Sequence, residues 1–75
     1  MADLEIRKLL AQVNGSPIRV TSIQFSRLWD PPLHHTSAVL RMRDLVLTPP
    51  AGFVIEELEG RKVVIEIKRN NNVRN

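Results

Sequence analysis

Asp30, His34, His35 and Ser37 stand close together in the sequence, and from such residue types a metal site or a nucleophile could be assembled. Zinc needs three or four converging ligands. Adjacent histidines rarely face one ion, and the chain has no cysteine and no nearby glutamate to complete a set. The pair reads instead as a polar turn ahead of a helix. Asp30, His34 and Ser37 could be drawn as a nucleophile with its base. Nucleophilic catalysis also needs an oxyanion site and a pocket, which a chain of 75 residues seldom builds. The three glycines are isolated and read as turns, so there is no glycine-rich phosphate loop. No metal, no cofactor and no enzymatic reaction is expected.

The remaining chemistry is recognition of anions. Eleven Lys and Arg stand against eight Asp and Glu, a formal net charge of +3. That balance permits an anionic partner without demanding one. The chain holds one tryptophan, two phenylalanines and no tyrosine, too few aromatics for a surface that stacks single-stranded bases. Trp29, Phe25 and Phe53 are assigned to the core, where large aromatic side chains contribute most.

These side chains must be positioned by one small domain, residues 1–69, followed by a polar tail, residues 70–75. A domain near this size buries only about 60% of its unfolded surface, so its core is marginal. Without cysteine, neither disulfides nor thiolate-bound metal can reinforce it. The longest apolar runs are too short to cross a bilayer, and no secretory leader pattern opens the chain. An intracellular, cytoplasmic protein without a membrane partner is expected.

The first element is a helix over Ala2 to Val13, with Ile6, Leu9, Leu10 and Val13 at the spacing of one buried face. Asp3 is placed to cap it, Asn14-Gly15 to stop it, and Arg7 and Lys8 to face solvent. Residues 16–29 admit two solutions. Ile18 and Val20 alternate with polar neighbours as a strand does, but Ile23 and Phe25 fall on the opposite parity. Either one long strand carries a bulge, or a strand over Ile18 to Val20 passes into a short helix from Ser22 to Trp29 capped by Thr21 or Ser22. Asp30-Pro31-Pro32 ends whichever forms, because proline lacks an amide proton and disfavours helix before it.

Thr36 to Leu47 reads as a helix. That choice puts Ala38, Val39, Met42, Leu45 and Val46 on one face, with Thr36 as N-cap. The strand alternative places Asp44 in an apolar set with Leu40, Met42 and Val46. Phe53 to Lys68 is a hairpin rich in Val and Ile, turning at Glu59-Gly60. A three-residue loop at Glu59, Gly60 and Arg61 pairs Ile55 with Ile65 and Phe53 with Ile67, with Gly60 free to adopt a positive φ.

The order helix, short strand, helix, turn, helix, hairpin resembles the winged helix-turn-helix family of small DNA-binding domains. VTSIQFSRLWD is similar to the passage that opens the motif, HTSAVLRMRDL to its recognition helix, and GFVIEELEGRKVVIEIK to its wing. The resemblance covers Asp3 to Lys68 and rests on the order and spacing of elements. It implies an α+β fold of three helices with a C-terminal β-hairpin wing. It also implies double-stranded DNA as partner, with Ser37, Arg41 and Arg43 on or beside the exposed face of the third helix. Arg61 and Lys62 would meet phosphate at the wing, and Arg27 would lie at the end of the second helix near the backbone. The expected function is a small transcriptional regulator or architectural factor that could act as a homodimer. Leu40, Asp44 and Leu47 on the outer helical face, and Glu56, Glu57 and Glu59 in the wing, support an alternative. In that reading the fold serves as a non-enzymatic protein-interaction module, an accessory or viral adaptor.

Overall fold

The alternation of apolar and polar residues in three short segments builds a three-stranded antiparallel sheet in the computed structural model, which describes residues 3–70. The elements run α1 (Leu4–Leu10), β1 (Ile18–Thr21), α2 (Ser22–Ser26), α3 (His35–Leu47), β2 (Phe53–Leu58) and β3 (Val64–Arg69). β3, last in sequence, lies between β1 and β2. One face of this small α+β domain carries Val20, Ile55, Ile65 and Ile67, all buried. The helices close over it with Ile6, Leu9 and Leu10 from α1, Phe25 from α2 and Ala38, Met42 and Leu45 from α3.

The ambiguous segment resolves as strand followed directly by helix. β1 ends at Thr21, whose side chain accepts from the Gln24 amide at 3.1 Å while the Gln24 side chain accepts from the Thr21 amide at 3.0 Å. This reciprocal pair satisfies two helix-end donors and lets the chain change from period two to helical spacing without a bulge. It accounts for the parity break at Ile23 and Phe25. α2 stops at Ser26, short of the expected Trp29. The Ser26 carbonyl accepts from the Trp29 amide at 3.4 Å and from the Leu33 amide at 3.1 Å, the latter across the turn that holds a cis Asp30–Pro31 bond.

Other boundaries differ from expectation for local reasons. α1 ends at Leu10, and the Gln12 and Val13 amides reach back only three residues, to Leu9 and Leu10. These shorter-range bonds tighten the last turn and bring Val13 to full burial. Asp3 holds the N-cap position without a side-chain cap, since its carboxylate is engaged by Arg41. α3 starts one residue early. Its N-cap is His34, whose Nδ1 accepts from the Thr36 amide at 3.4 Å, so Thr36 lies within the first turn. The five residues assigned to its inner face are buried or half-buried. Phe25 is fully buried, whereas Trp29 and Phe53 are half-buried against the core. Asn70 of the expected tail still donates its amide to the Gly52 carbonyl at 2.9 Å, and residues 71–75 lie outside the described residues.

The hairpin register is the main correction. Ile55 pairs with Ile67 and Leu58 with Val64, so the loop spans residues 59–63, not three residues. A slip of two residues keeps every side chain on its face, so apolar alternation cannot distinguish the two registers. β3 is also paired with β1, Val20 to Ile65 and Ile18 to Ile67. Val63 is drawn from the hairpin by this second partner: its carbonyl accepts the Ser22 amide at 3.0 Å, and its side chain packs on the core. Gly60 has φ +156° and Gly52 φ +89°, values that a Cβ would strain.

Phe25 stands on a five-residue helix, yet it is fully buried in the same core cluster as Met42 of α3. Replacing Phe25 by Ala is expected to cost about 3–5 kcal/mol, comparable with the whole stability of so small a core. Thr21→Ala, which removes the cap alone, should cost about 1 kcal/mol. Urea unfolding followed by circular dichroism checks both. Equal losses for the two variants would contradict this account of the core.

Candidate nucleic-acid interface

α3 is the longest helix among the described residues, and it buries a single stripe, Ala38, Met42 and Leu45. The side turned from the core carries Thr36, Ser37, Leu40, Asp44 and Leu47, all exposed. Leu40 retains 63% of its accessible surface and Leu47 81%. The first turn of this face is therefore polar, and its later turns mix leucine with a carboxylate.

Arg41 and Arg43 are two residues apart, which rotates them by about 200° around a helix axis. They flank the outer face on opposite sides. Arg41 leans toward α1 and α2: its Nη1 donates to the Asp3 carboxylate, and its guanidinium lies 5.2 Å from the Trp29 ring centroid. Trp29 in turn packs on Phe25 with ring centroids 5.2 Å apart, so Arg41 covers the rim of the aromatic core. Arg43 leans toward the sheet. Its Nε donates to Glu57 Oε1 at 3.3 Å and its Nη2 to Oε2 at 3.5 Å, which ties α3 to β2.

Both ion pairs are solvent-accessible. Exposed pairs contribute only about 0.2–1 kcal/mol, because water screens them and two long side chains must be held still. A phosphate can compete at that level. Among the described residues Arg43 makes no ring contact and is tied by hydrogen bonds to Glu57 alone, whereas Arg41 would have to leave both a carboxylate and an aromatic face.

The other anticipated residues stand apart. Arg61 and Lys62 are exposed in the loop between β2 and β3, Arg27 is exposed at the C-cap of α2, and Ser37 is exposed in the first turn of α3. Among the described residues, no ion pair joins Arg27, Arg61 or Lys62 to an acid. Asp44 likewise has no cationic partner there, although Arg41 and Arg43 are its sequence neighbours. The fold thus brings Ser37, Arg41 and Arg43 onto one helix and joins that helix to the hairpin. It leaves Arg27, Arg61 and Lys62 on separate elements.

The partners of three charged residues important to this geometry escaped the sequence reading. Asp3 and Glu57 are distant in sequence from the arginines they hold, and only the tertiary fold reveals them. Arg69 belongs to the basic end of the hairpin but serves the fold: its Nε donates to the Val13 carbonyl at 2.8 Å, and its guanidinium lies 5.0 Å from the Phe53 centroid. An open groove of ≈ 540 Å³ runs between the start of α1 and the second half of α3. Ile6, Leu45, Pro49 and Pro50 line it together with Asp3, Arg41 and Asp44. No described helix is long and apolar enough to cross a membrane.

No family model matches the chain, and comparisons with curated proteins and with solved structures also give no match.

Proposed function

We propose that this chain is a small, non-enzymatic DNA-binding protein of the winged helix-turn-helix type, a cytoplasmic transcriptional regulator or architectural factor. α3 enters the major groove, and the β2–β3 hairpin lies on flanking backbone. The observation that carries the reading is the joining of α3 to the hairpin through Arg43 and Glu57, with the polar first turn of α3 and the loop cations Arg61 and Lys62 left exposed. The order of elements, with β3 between β1 and β2, also supports it.

In this mechanism Thr36 and Ser37 meet base edges or phosphates at the start of α3, and Arg41 and Arg43 reach to either side. A major groove about 12 Å wide admits one helix, and arginine can donate paired hydrogen bonds to guanine. Arg61 and Lys62 take backbone phosphates, which fix orientation and carry no sequence information. Arg27, at the end of α2, adds a further phosphate contact. A single small module covers only about 600–1,000 Å² of protein surface on DNA. A homodimer would double that contact.

Leu40 and Leu47 favour a second reading. Two large apolar side chains on one helical face, with Asp44 between them, suit a protein partner better than a phosphate-lined groove. In that reading the same fold acts as an accessory protein that docks on another protein or on its own copy.

Titration against a mixed-sequence duplex, read by fluorescence anisotropy at low and moderate salt, separates the two. DNA binding predicts affinity that falls steeply with salt, with a log–log slope of about −0.9 for each phosphate neutralised. Replacing Arg61 and Lys62 together by Ala should make that slope shallower by about 2. No duplex binding at low salt would overturn the proposal. The protein-partner reading predicts self-association or partner capture that Leu47→Asp abolishes, measured by sedimentation. An unchanged sedimentation profile in Leu47→Asp would count against it.

A further inference from the structure

Glu57 is the acid whose position the strand pattern explains least. In β2 it shares the face of Phe53 and Ile55, and it stands opposite the fully buried Ile65. Alternation would place an apolar residue there. Glu56 points to the other face, opposite Glu66, and Glu66 is engaged by Arg19 at 3.4 Å. Glu59 lies exposed in the loop. Among the hairpin acids, Glu57 is therefore the one aimed toward α3, and both of its carboxylate oxygens face the Arg43 guanidinium.

We infer that Glu57 is an internal competitor for Arg43, occupying the guanidinium that a nucleic-acid phosphate would take and so setting the affinity of the α3 surface. The inference deepens the duplex-binding reading and rests on it. Guanidinium meets carboxylate and phosphate through the same fork of N–H donors, so one arginine cannot serve both fully. The two groups are close enough to bond yet loosely held, with distances of 3.3 and 3.5 Å and side-chain exposures of 54% for Arg43 and 35% for Glu57. Arg43 can thus turn outward without leaving an aromatic face, since its guanidinium lies over no described ring. Arg41 differs, because its contact with Trp29 holds it on the fold. On binding, Arg43 exchanges one anionic partner for another, and its net gain is what phosphate offers beyond Glu57.

The competing explanation is structural. A charge on the inward face of an edge strand guards that edge against pairing with another chain, and an ion pair across α3 and β2 could simply hold Arg43 in its working position. Glu57→Gln keeps size and hydrogen-bonding capacity while removing the charge, and Glu56→Gln removes one hairpin charge that no arginine holds among the described residues. Duplex affinity of both variants is compared with that of the unaltered chain, at one low salt concentration, in the presence and absence of Arg43→Ala.

Competition predicts that Glu57→Gln tightens duplex binding by about two- to fivefold, the range of an exposed ion pair. Glu56→Gln should give a smaller gain, from general charge alone. With Arg43→Ala in place, the advantage of Glu57→Gln over Glu56→Gln should vanish. Equal effects of the two glutamine variants, an advantage that persists without Arg43, or weaker binding by Glu57→Gln would each overturn the inference while leaving duplex binding intact. If neither the unaltered chain nor Glu57→Gln binds duplex, both the inference and the reading beneath it fail.

Discussion

The central position of β3 is the constraint on which the rest of the structure depends. Its Ile65 and Ile67 are fully buried, and each is paired on both sides, to β1 and to β2. The last strand in sequence therefore sits in the middle of the sheet. Its hairpin partner β2 and the early strand β1 both take their register from it, and α1, α2 and α3 pack their apolar stripes on the face it completes. A marginal core of this size has no disulfide to support it. It gains order by making one strand serve two partners and by tying Arg69 at its end to the Val13 carbonyl after α1.

That arrangement also explains what was legible in the sequence. Local signals that act within a few residues were readable: the apolar stripe of α3, the Val- and Ile-rich hairpin strands, and Thr21 or Ser22 as the cap of a short α2, which was one of two solutions for that segment. The hairpin register was not readable. Alternation fixes which face a side chain takes but not a slip of two residues, and the deciding contacts came from β1 and from the Ser22 amide, far away in sequence. His34 replaced Thr36 as the N-cap of α3, two residues earlier than its apolar period required.

The candidate interface was legible only in part, for a similar reason. Periodicity showed that Leu40, Asp44 and Leu47 face outward and that Arg41 and Arg43 lie beside them. It could not show that Asp3 and Trp29 hold one arginine, or that Glu57 holds the other. Those partners change the chemistry of the surface. An arginine read from sequence is a free cation, whereas in the folded chain Arg41 is part of the packing around Trp29 and Arg43 is shared between helix and hairpin. In the proposed reading Arg27, Arg61 and Lys62, which form no ion pair among the described residues, are the more available cations, with α3 supplying shape and a polar leading turn. The apolar Leu40 and Leu47 remain in tension with a phosphate-lined groove, and this is the point at which the DNA and protein readings diverge most.

The most direct test of the proposed surface is amide chemical-shift mapping of the isotope-labelled protein as a mixed-sequence duplex is added at low salt. The account predicts perturbations concentrated at Thr36, Ser37 and Leu40 on α3 and at Arg61 and Lys62 in the hairpin loop, fading together as salt rises. Perturbations centred instead on Arg7 and Lys8 of α1, or a spectrum unchanged by duplex, would contradict it.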